Sequence, residues 1–164
     1  MSAAKTFGAD VAWSDDKAGE EWAADYARGP VEALALTVVR AHLALQARGA
    51  YACLEAAHSL AEMQFEATVA ADFVARITLV LRSLRQERQA PFAFLPVGCH
   101  AITSDERDFL LALQAAAACD IAALRERAEQ LTQGGAPIRT SLALGWLAAL
   151  VVDTTGRPAS GLMN

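Results

Sequence analysis

Lysine and cysteine are both scarce in this sequence of 164 residues, which has two lysines and three cysteines, Cys53, Cys99 and Cys119. The cysteines are odd in number and lack the spacing of metal ligands, so reduced thiols in a cytoplasm are favoured over a disulfide framework or a zinc site. No basic and then apolar leader is recognisable, so secretion is not expected. The longest apolar run, Leu142 to Val152, is too short to span a bilayer. We therefore expect a cytoplasmic protein without a membrane span.

Positive charge is also in short supply, because 14 lysines and arginines face 19 acidic residues and the net charge is -5. Affinity for nucleic acid depends on neutralising phosphates, so this balance argues against DNA or RNA as a partner. A local basic run of Arg76, Arg82, Arg85 and Arg88 is better explained as the C-terminal part of a helix, where cations suit the dipole. The excess of arginine over lysine suggests a bacterial genome of high GC content.

Glycine-rich phosphate loops, supported Ser-His-Asp arrangements and zinc-binding spacings are not recognisable, so no cofactor and no metal is expected. Alanine, in contrast, is abundant, with 38 residues among the 54% that are hydrophobic. Alanine favours helix and has little side chain to bury, so a core built from it requires close approach of helices. The sequence predicts one all-α domain, an irregular bundle of about six helices.

Ser14 can cap a first helix, and Gly29-Pro30 ends it. The same proline starts a second helix that runs to about Arg48. The second helix is apolar around most of its circumference, and only a narrow strip that includes Arg40 is polar. This helix is therefore predicted to be central in the bundle. His42 lies midway along the apolar face of this helix. A histidine in such a position is more often a hydrogen-bonded core residue than a ligand.

A single helix over 50–89 would be about 60 Å long, so a break is expected near 64–70. The helix before this break has two faces. Its predicted core face is the series Cys53, Ala56, Leu60, Met63 and Ala67. Its predicted solvent face is the series Glu55, His58, Glu62 and Glu66.

Thr103 and Glu106 form a capping box that starts the next helix, and Asp120 can cap a further one and divide that helix in two. After a loop containing glycine and proline, a last helix is predicted for about 138–152. It is apolar all round, with a smooth patch at Gly145-x-x-x-Ala149. Such a helix forms either the centre of a bundle or a subunit interface.

An extended apolar connector at about 91–102 interrupts the helices, and Cys99 and His100 lie near its end. The dipole of the helix capped by Thr103 can lower the pKa of the Cys99 thiol. A thiolate beside an imidazole is the pair of groups that nucleophilic catalysis by cysteine uses. No third orienting group and no cysteine-hydrolase signature accompany them. The favoured interpretation is that the connector lies over the bundle as an apolar anchor, and whether Cys99 is reactive or buried stays open.

His42, Cys99 and His100 are also the candidates for a pocket that binds a small molecule or cofactor between helices. The tryptophans that could line such a pocket are Trp13, Trp22 and Trp146.

Glu55-x-x-His58 has the spacing that di-iron carboxylate bundles use, but the second copy that such sites need is missing. The segment Ala57-His58-Ser59-Leu60 resembles the phosphoaccepting segment of histidine phosphotransfer domains, which are four-helix bundles. The resemblance implies phosphotransfer through His58. In that family a lysine and a glycine follow the leucine, where this sequence has Ala61 and Glu62. A glutamate there repels phosphate.

The predicted organisation is a poorly ordered segment 1–13, a helical domain 14–153 and a frayed tail 154–164. Because nearly every helix is apolar over more than half its circumference, we expect a protein partner or self-association as a homodimer, through the last helix or the second. The favoured function is a non-enzymatic interaction or regulatory module. The alternatives are the small-molecule pocket near His42, Cys99 and His100, and phosphotransfer through His58.

Overall fold

The computed structural model describes residues 21–156, and within them the chain forms seven α-helices where about six were expected. Their bounds are α1 Ala23–Tyr26, α2 Pro30–Arg48, α3 Tyr51–Gln64, α4 Ala67–Glu87, α5 Ser104–Ala117, α6 Ile121–Thr132 and α7 Ile138–Gly156. This part of the chain has no strand; an isolated antiparallel bridge joins Trp22 and Ala101. The all-α prediction is confirmed. None of the described helices is long and apolar enough to cross a membrane.

The helices begin and end close to the predicted residues. Gly49 ends α2 in the left-handed conformation (φ 67°), which glycine adopts without steric cost. The predicted break between the third and fourth helices falls at Phe65 and Glu66, which are both extended. Asp120 caps α6, because its carboxylate accepts from the backbone N–H of Ala123 at 3.0 Å. The long helix after the connector is therefore divided in two.

At both ends the predicted segments extend beyond the described residues. The predicted N-terminal segment 1–13 and the start of the helix at Ser14 lie outside them, and α1 is a single turn. The tail predicted from residue 154 instead begins inside α7, which continues to Gly156. Val151 is buried in the core and anchors these last turns.

Helix α2 is extensively buried, with ten of its nineteen residues in the interior. It packs against α3, α4 and α5, while α5 packs on α6 and α7, and α7 on α4. The largest fully buried side chains include Phe73, Phe94 and Phe109. The buried small side chains that let the helices approach closely include Ala35, Ala41, Ala57, Ala61, Ala112 and Ala128.

Helix α3 buries a different face from the predicted one. Its buried residues are Ala57 and Ala61, whereas Leu60 and Met63 of the predicted core face are 45% and 83% exposed. Helix α3 packs between α2 and α4, and short alanine side chains allow a closer approach there than leucine or methionine would. The predicted core face is therefore mostly an exposed apolar strip.

A buried ion pair holds the irregular connector between α4 and α5. Arg40 of α2 donates from Nε and Nη2 to the two carboxylate oxygens of Glu106 at 2.7 and 2.9 Å, and both side chains are buried. Arg40 also donates to the carbonyls of Cys99 and Ala101 at 2.6 and 2.7 Å. Glu106 accepts in addition from the backbone N–H of Leu95 at 3.0 Å. Each buried charge is thus neutralised and hydrogen-bonded, which burial requires.

A second buried ion pair lies next to the first in the sequence of α5. Asp105 Oδ2 accepts from Arg88 Nη2 and from the backbone N–H of Ala93, both at 2.7 Å. The predicted capping box is confirmed, since Glu106 and Thr103 exchange hydrogen bonds between side chain and backbone. The first turn of α5 therefore supplies two neighbouring carboxylates that fix the connector.

The start of α7 is fixed by the end of α4. The Glu87 carboxylate accepts from the backbone N–H groups of Arg139 and Thr140 at 2.7 and 2.9 Å, which satisfies two N-terminal donors of the helix. A Cβ on Gly135 would lie 1.7 Å from the Glu87 carbonyl oxygen, so only glycine fits there. This contact fixes the orientation of α7 relative to the loop and therefore which face of the helix is exposed.

Arg40→Met should destabilise the protein by about 3–5 kcal/mol, because it leaves the Glu106 carboxylate buried without its counter-charge. Urea denaturation at pH 7 measures the free energy of unfolding. Combining Arg40→Met with Glu106→Gln should cost less than the sum of the two single changes, since both remove one interaction.

The matched control is Arg125→Met, which removes an exposed arginine paired with Glu129 one helical turn away. Surface pairs of this kind contribute little, so a change of less than about 0.5 kcal/mol is expected. Equal losses in the Arg40 and Arg125 variants would contradict the role given to the buried pair.

Candidate functional site

An open groove of about 790 Å³ lies between α1, the start of α2 and the end of the connector. Its lining residues include Trp22, Arg40, Cys99 and His100. Helix α1 is held beside the connector because the Ala23 backbone N–H donates to the His100 carbonyl at 2.8 Å. The structure thus brings Cys99 and His100 together with one of the three tryptophans. Trp146 lies elsewhere, on α7, and Trp13 is outside the described residues.

Cys99 and His100 have no catalytic partners in the described part of the chain. Their side chains make no hydrogen bond there; their backbone carbonyls accept from Arg40 and Ala23, and the Cys99 backbone N–H donates to the Pro96 carbonyl. The helix end near them carries the carboxylates of Asp105 and Glu106, which compensate the positive end of the dipole. Cys99 is half-buried and His100 exposed, so the buried anchors of the connector are other residues: Phe92, Phe94 and Leu95.

His42 does not line this groove, because residues 40 and 42 project about 160° apart around α2. The groove therefore brings together two of the three predicted residues, Cys99 and His100, without His42. The ring of His42 instead faces α4, where its Nε2 is 2.9 Å from Thr78 Oγ1.

The His42 ring is buried with both nitrogens paired. Its Nδ1 lies 3.0 Å from the Val38 carbonyl, opposite the contact with Thr78. Burial lowers the pKa of His42; the hydrogen bond to the Val38 carbonyl opposes this shift, and the nearby His58 adds to it. In the neutral ring Nδ1 donates to the Val38 carbonyl, and Nε2 can then only accept from the Thr78 hydroxyl, whose single proton the Val74 carbonyl at 2.9 Å also competes for. The geometry is that of a hydrogen-bonded core histidine.

His58 is exposed in the middle of α3, and Glu55 and Glu62 on the same surface are exposed as well. No cluster of three or more histidine, cysteine or acidic side chains that could hold a metal occurs among residues 21–156. The arrangement offers an accessible imidazole, but its glutamate neighbours carry the same sign of charge as phosphate. Phosphotransfer through His58 stays a prediction.

The outward side of α7 is apolar over almost its whole length. Ile138, Leu142 and Trp146 are 68%, 59% and 58% exposed, and their four-residue spacing places them along one stripe. Together with the small and branched residues between and beyond them they form a surface that we call the α7 face: Ile138, Leu142, Gly145, Trp146, Ala149 and Val152. The opposite side of the helix packs into the core with Ala143, Leu144, Leu147, Ala148 and Val151. Helix α7 is apolar all round because it has one buried and one exposed apolar face.

Gly145 is unexplained by the packing of the chain on itself. A Cβ built at this position would meet no atom within 4 Å. Glycine in a helix interior costs about 1 kcal/mol relative to alanine. No contact within the described chain therefore requires glycine at the middle of the α7 face.

Comparisons with known proteins assign no function to the groove beside Cys99 or to the α7 face. No family model, no curated protein and no solved structure matches this chain.

His42→Gln should flatten the pH dependence of stability as the pH falls below about 6.5. Because the folded-state pKa of His42 lies below the unfolded value of about 6.5, the unfolded state binds the proton first and wild-type stability falls as pH decreases through that range. Urea denaturation at several pH values measures this slope. His58→Gln, which changes an exposed ring, is the control, and an equal flattening by both variants would contradict the assignment to His42.

Proposed function

We propose that the protein is a non-enzymatic helical interaction module that works as a homodimer joined through the α7 face. The observation that carries this proposal is that, apart from Arg139 at its edge, the exposed residues of α7 from Ile138 to Val152 are apolar. The outward side of a surface helix is ordinarily polar. Contiguous exposed apolar patches are a feature of contact sites.

The size of the α7 face supports a contact with another protein. Its large side chains each expose on the order of 100 Å², so the face presents roughly 500 Å², near the upper end of the patches that monomers expose. A neighbouring groove of about 380 Å³, lined in part by Ile121 and Ile138, extends it. Standard interfaces bury about 800 Å² per partner, which the face and its polar rim can approach.

The absence of charge from the α7 face favours a second copy of this chain as the occupant. In a two-fold contact the same patch meets itself, so a charged patch would bring like charges together. The exposed apolar strip of α3, in contrast, runs beside Glu55 and Glu62, which would oppose each other in a self-contact. The α7 face therefore suits self-association better than α3.

The groove beside Cys99 supports a second candidate function, the binding of a small apolar molecule. Its volume of about 790 Å³ is in the range of roughly 300–1,000 Å³ that ligand sites occupy, and Trp22 supplies an aromatic wall. A ligand-observed NMR screen of small fragments tests this. Fragments that lose binding with Trp22→Ala but not with Tyr51→Ala support the site, and a screen without such fragments rejects it.

Leu142→Glu and Trp146→Glu should each weaken self-association at least about 100-fold, because each would bury an unpaired carboxylate in the contact. Sedimentation equilibrium over a range of protein concentrations measures the dimer dissociation constant, and circular dichroism checks that the variants stay helical.

Met63→Glu is the matched control, since Met63 is 83% exposed on α3 and lies outside the α7 face. This variant should leave the dissociation constant within about threefold. A wild-type protein that is monomeric at every concentration, or a dimer lost equally in the Met63 variant, would reject the proposed function.

A further inference from the structure

Large and small side chains are arranged symmetrically about the middle of the α7 face. The midpoint of the face lies between Gly145 and Trp146, and Leu142 and Ala149 are equally distant from it on either side. In both of these pairs one residue is large and the other small. A second α7 running in the opposite direction would place Leu142 opposite the partner's Ala149, a large side chain against a small one, as close packing requires.

The charges at the two ends of the face have the same symmetry. Arg139 and Asp153 flank it at nearly equal distances from the midpoint and lie about 40° apart around the helix, on the same edge. Neither forms a side-chain ion pair within the described residues; the Arg139 guanidinium donates only to the Gln86 side chain. An antiparallel pair of helices brings each Arg139 beside the partner's Asp153, whereas a parallel pair brings like charges together.

We infer that two copies pair their α7 helices antiparallel, with the two-fold axis between Gly145 and Trp146. This arrangement rests on the proposed homodimer. Gly145 lies beside the partner's Gly145, and the missing side chains there let the two backbones approach closely. The packing of one chain on itself does not require glycine at this position, whereas the contact with the second copy does.

Cysteine cross-linking tests the direction of the helices. In a background with the three native cysteines changed to serine, Gly145→Cys should form a disulfide dimer by itself, because the position lies beside the axis. Leu142→Cys and Ala149→Cys should cross-link only when the two variants are mixed. In the antiparallel pair two copies of residue 142 are about 10 Å apart along the helix axis, too far for a disulfide.

A charge exchange provides an independent readout that leaves the apolar contact intact. Arg139→Asp and Asp153→Arg should each raise the dimer dissociation constant by about tenfold, because each places like charges together at both ends of the contact. The double variant Arg139→Asp with Asp153→Arg should return it to within about threefold of wild type. Each change puts a charge that suits the dipole at its end of α7, but Arg139→Asp also places a carboxylate near Glu87, so circular dichroism checks that each variant stays helical.

The outcomes separate this arrangement from the homodimer on which it rests. Self-cross-linking of both Leu142→Cys and Ala149→Cys, or a double charge variant no better than the single ones, overturns the antiparallel pairing while leaving a dimer. A wild-type protein that never dimerises overturns both. Mixed cross-linking of 142 with 149 together with charge rescue establishes the arrangement.

Discussion

The buried contact between Arg40 and Glu106 is the constraint on which most of the molecule depends. It joins α2 to the first turn of α5, and through the carbonyls of Cys99 and Ala101 it also fixes the end of the connector. The connector in turn holds α1, since the His100 carbonyl accepts from the Ala23 backbone. Without this pair neither the groove beside Cys99 nor the seat of α5 against α2 would have a defined shape.

The parts of the fold that could be predicted from the sequence are those governed by local chemistry. Helix caps and breaks depend on a few neighbouring residues, and Asp120 and the capping box at Thr103 function as predicted. The buried pair was missed because its members are 66 residues apart in the sequence and only the fold brings them together. A single arginine within the apolar α2, and two adjacent acids at the start of α5, were the available signals.

The orientation of helices was harder to predict than their existence. For α3 the periodicity of apolar residues indicated the wrong face, because the position between α2 and α4 admits Ala57 and Ala61 rather than Leu60 and Met63. For α7 the sequence left two roles open, and the structure gives the helix a buried and an exposed apolar face. Among the candidate site residues, Cys99 and His100 meet at one groove and His42 belongs to the core. Which residues share a pocket depends on side-chain direction, which a single sequence determines poorly.

The connector has a further consequence for how the molecule opens. Although it is neither helix nor strand, the amides of Ala93 and Leu95 donate to the carboxylates of Asp105 and Glu106. Releasing either amide means uncovering a buried charge, so the segment cannot fray independently in the way that surface loops do. In hydrogen–deuterium exchange these two loop amides would open only together with the core helices, and a segment that is irregular in geometry would belong thermodynamically to the most stable cooperative unit of the protein.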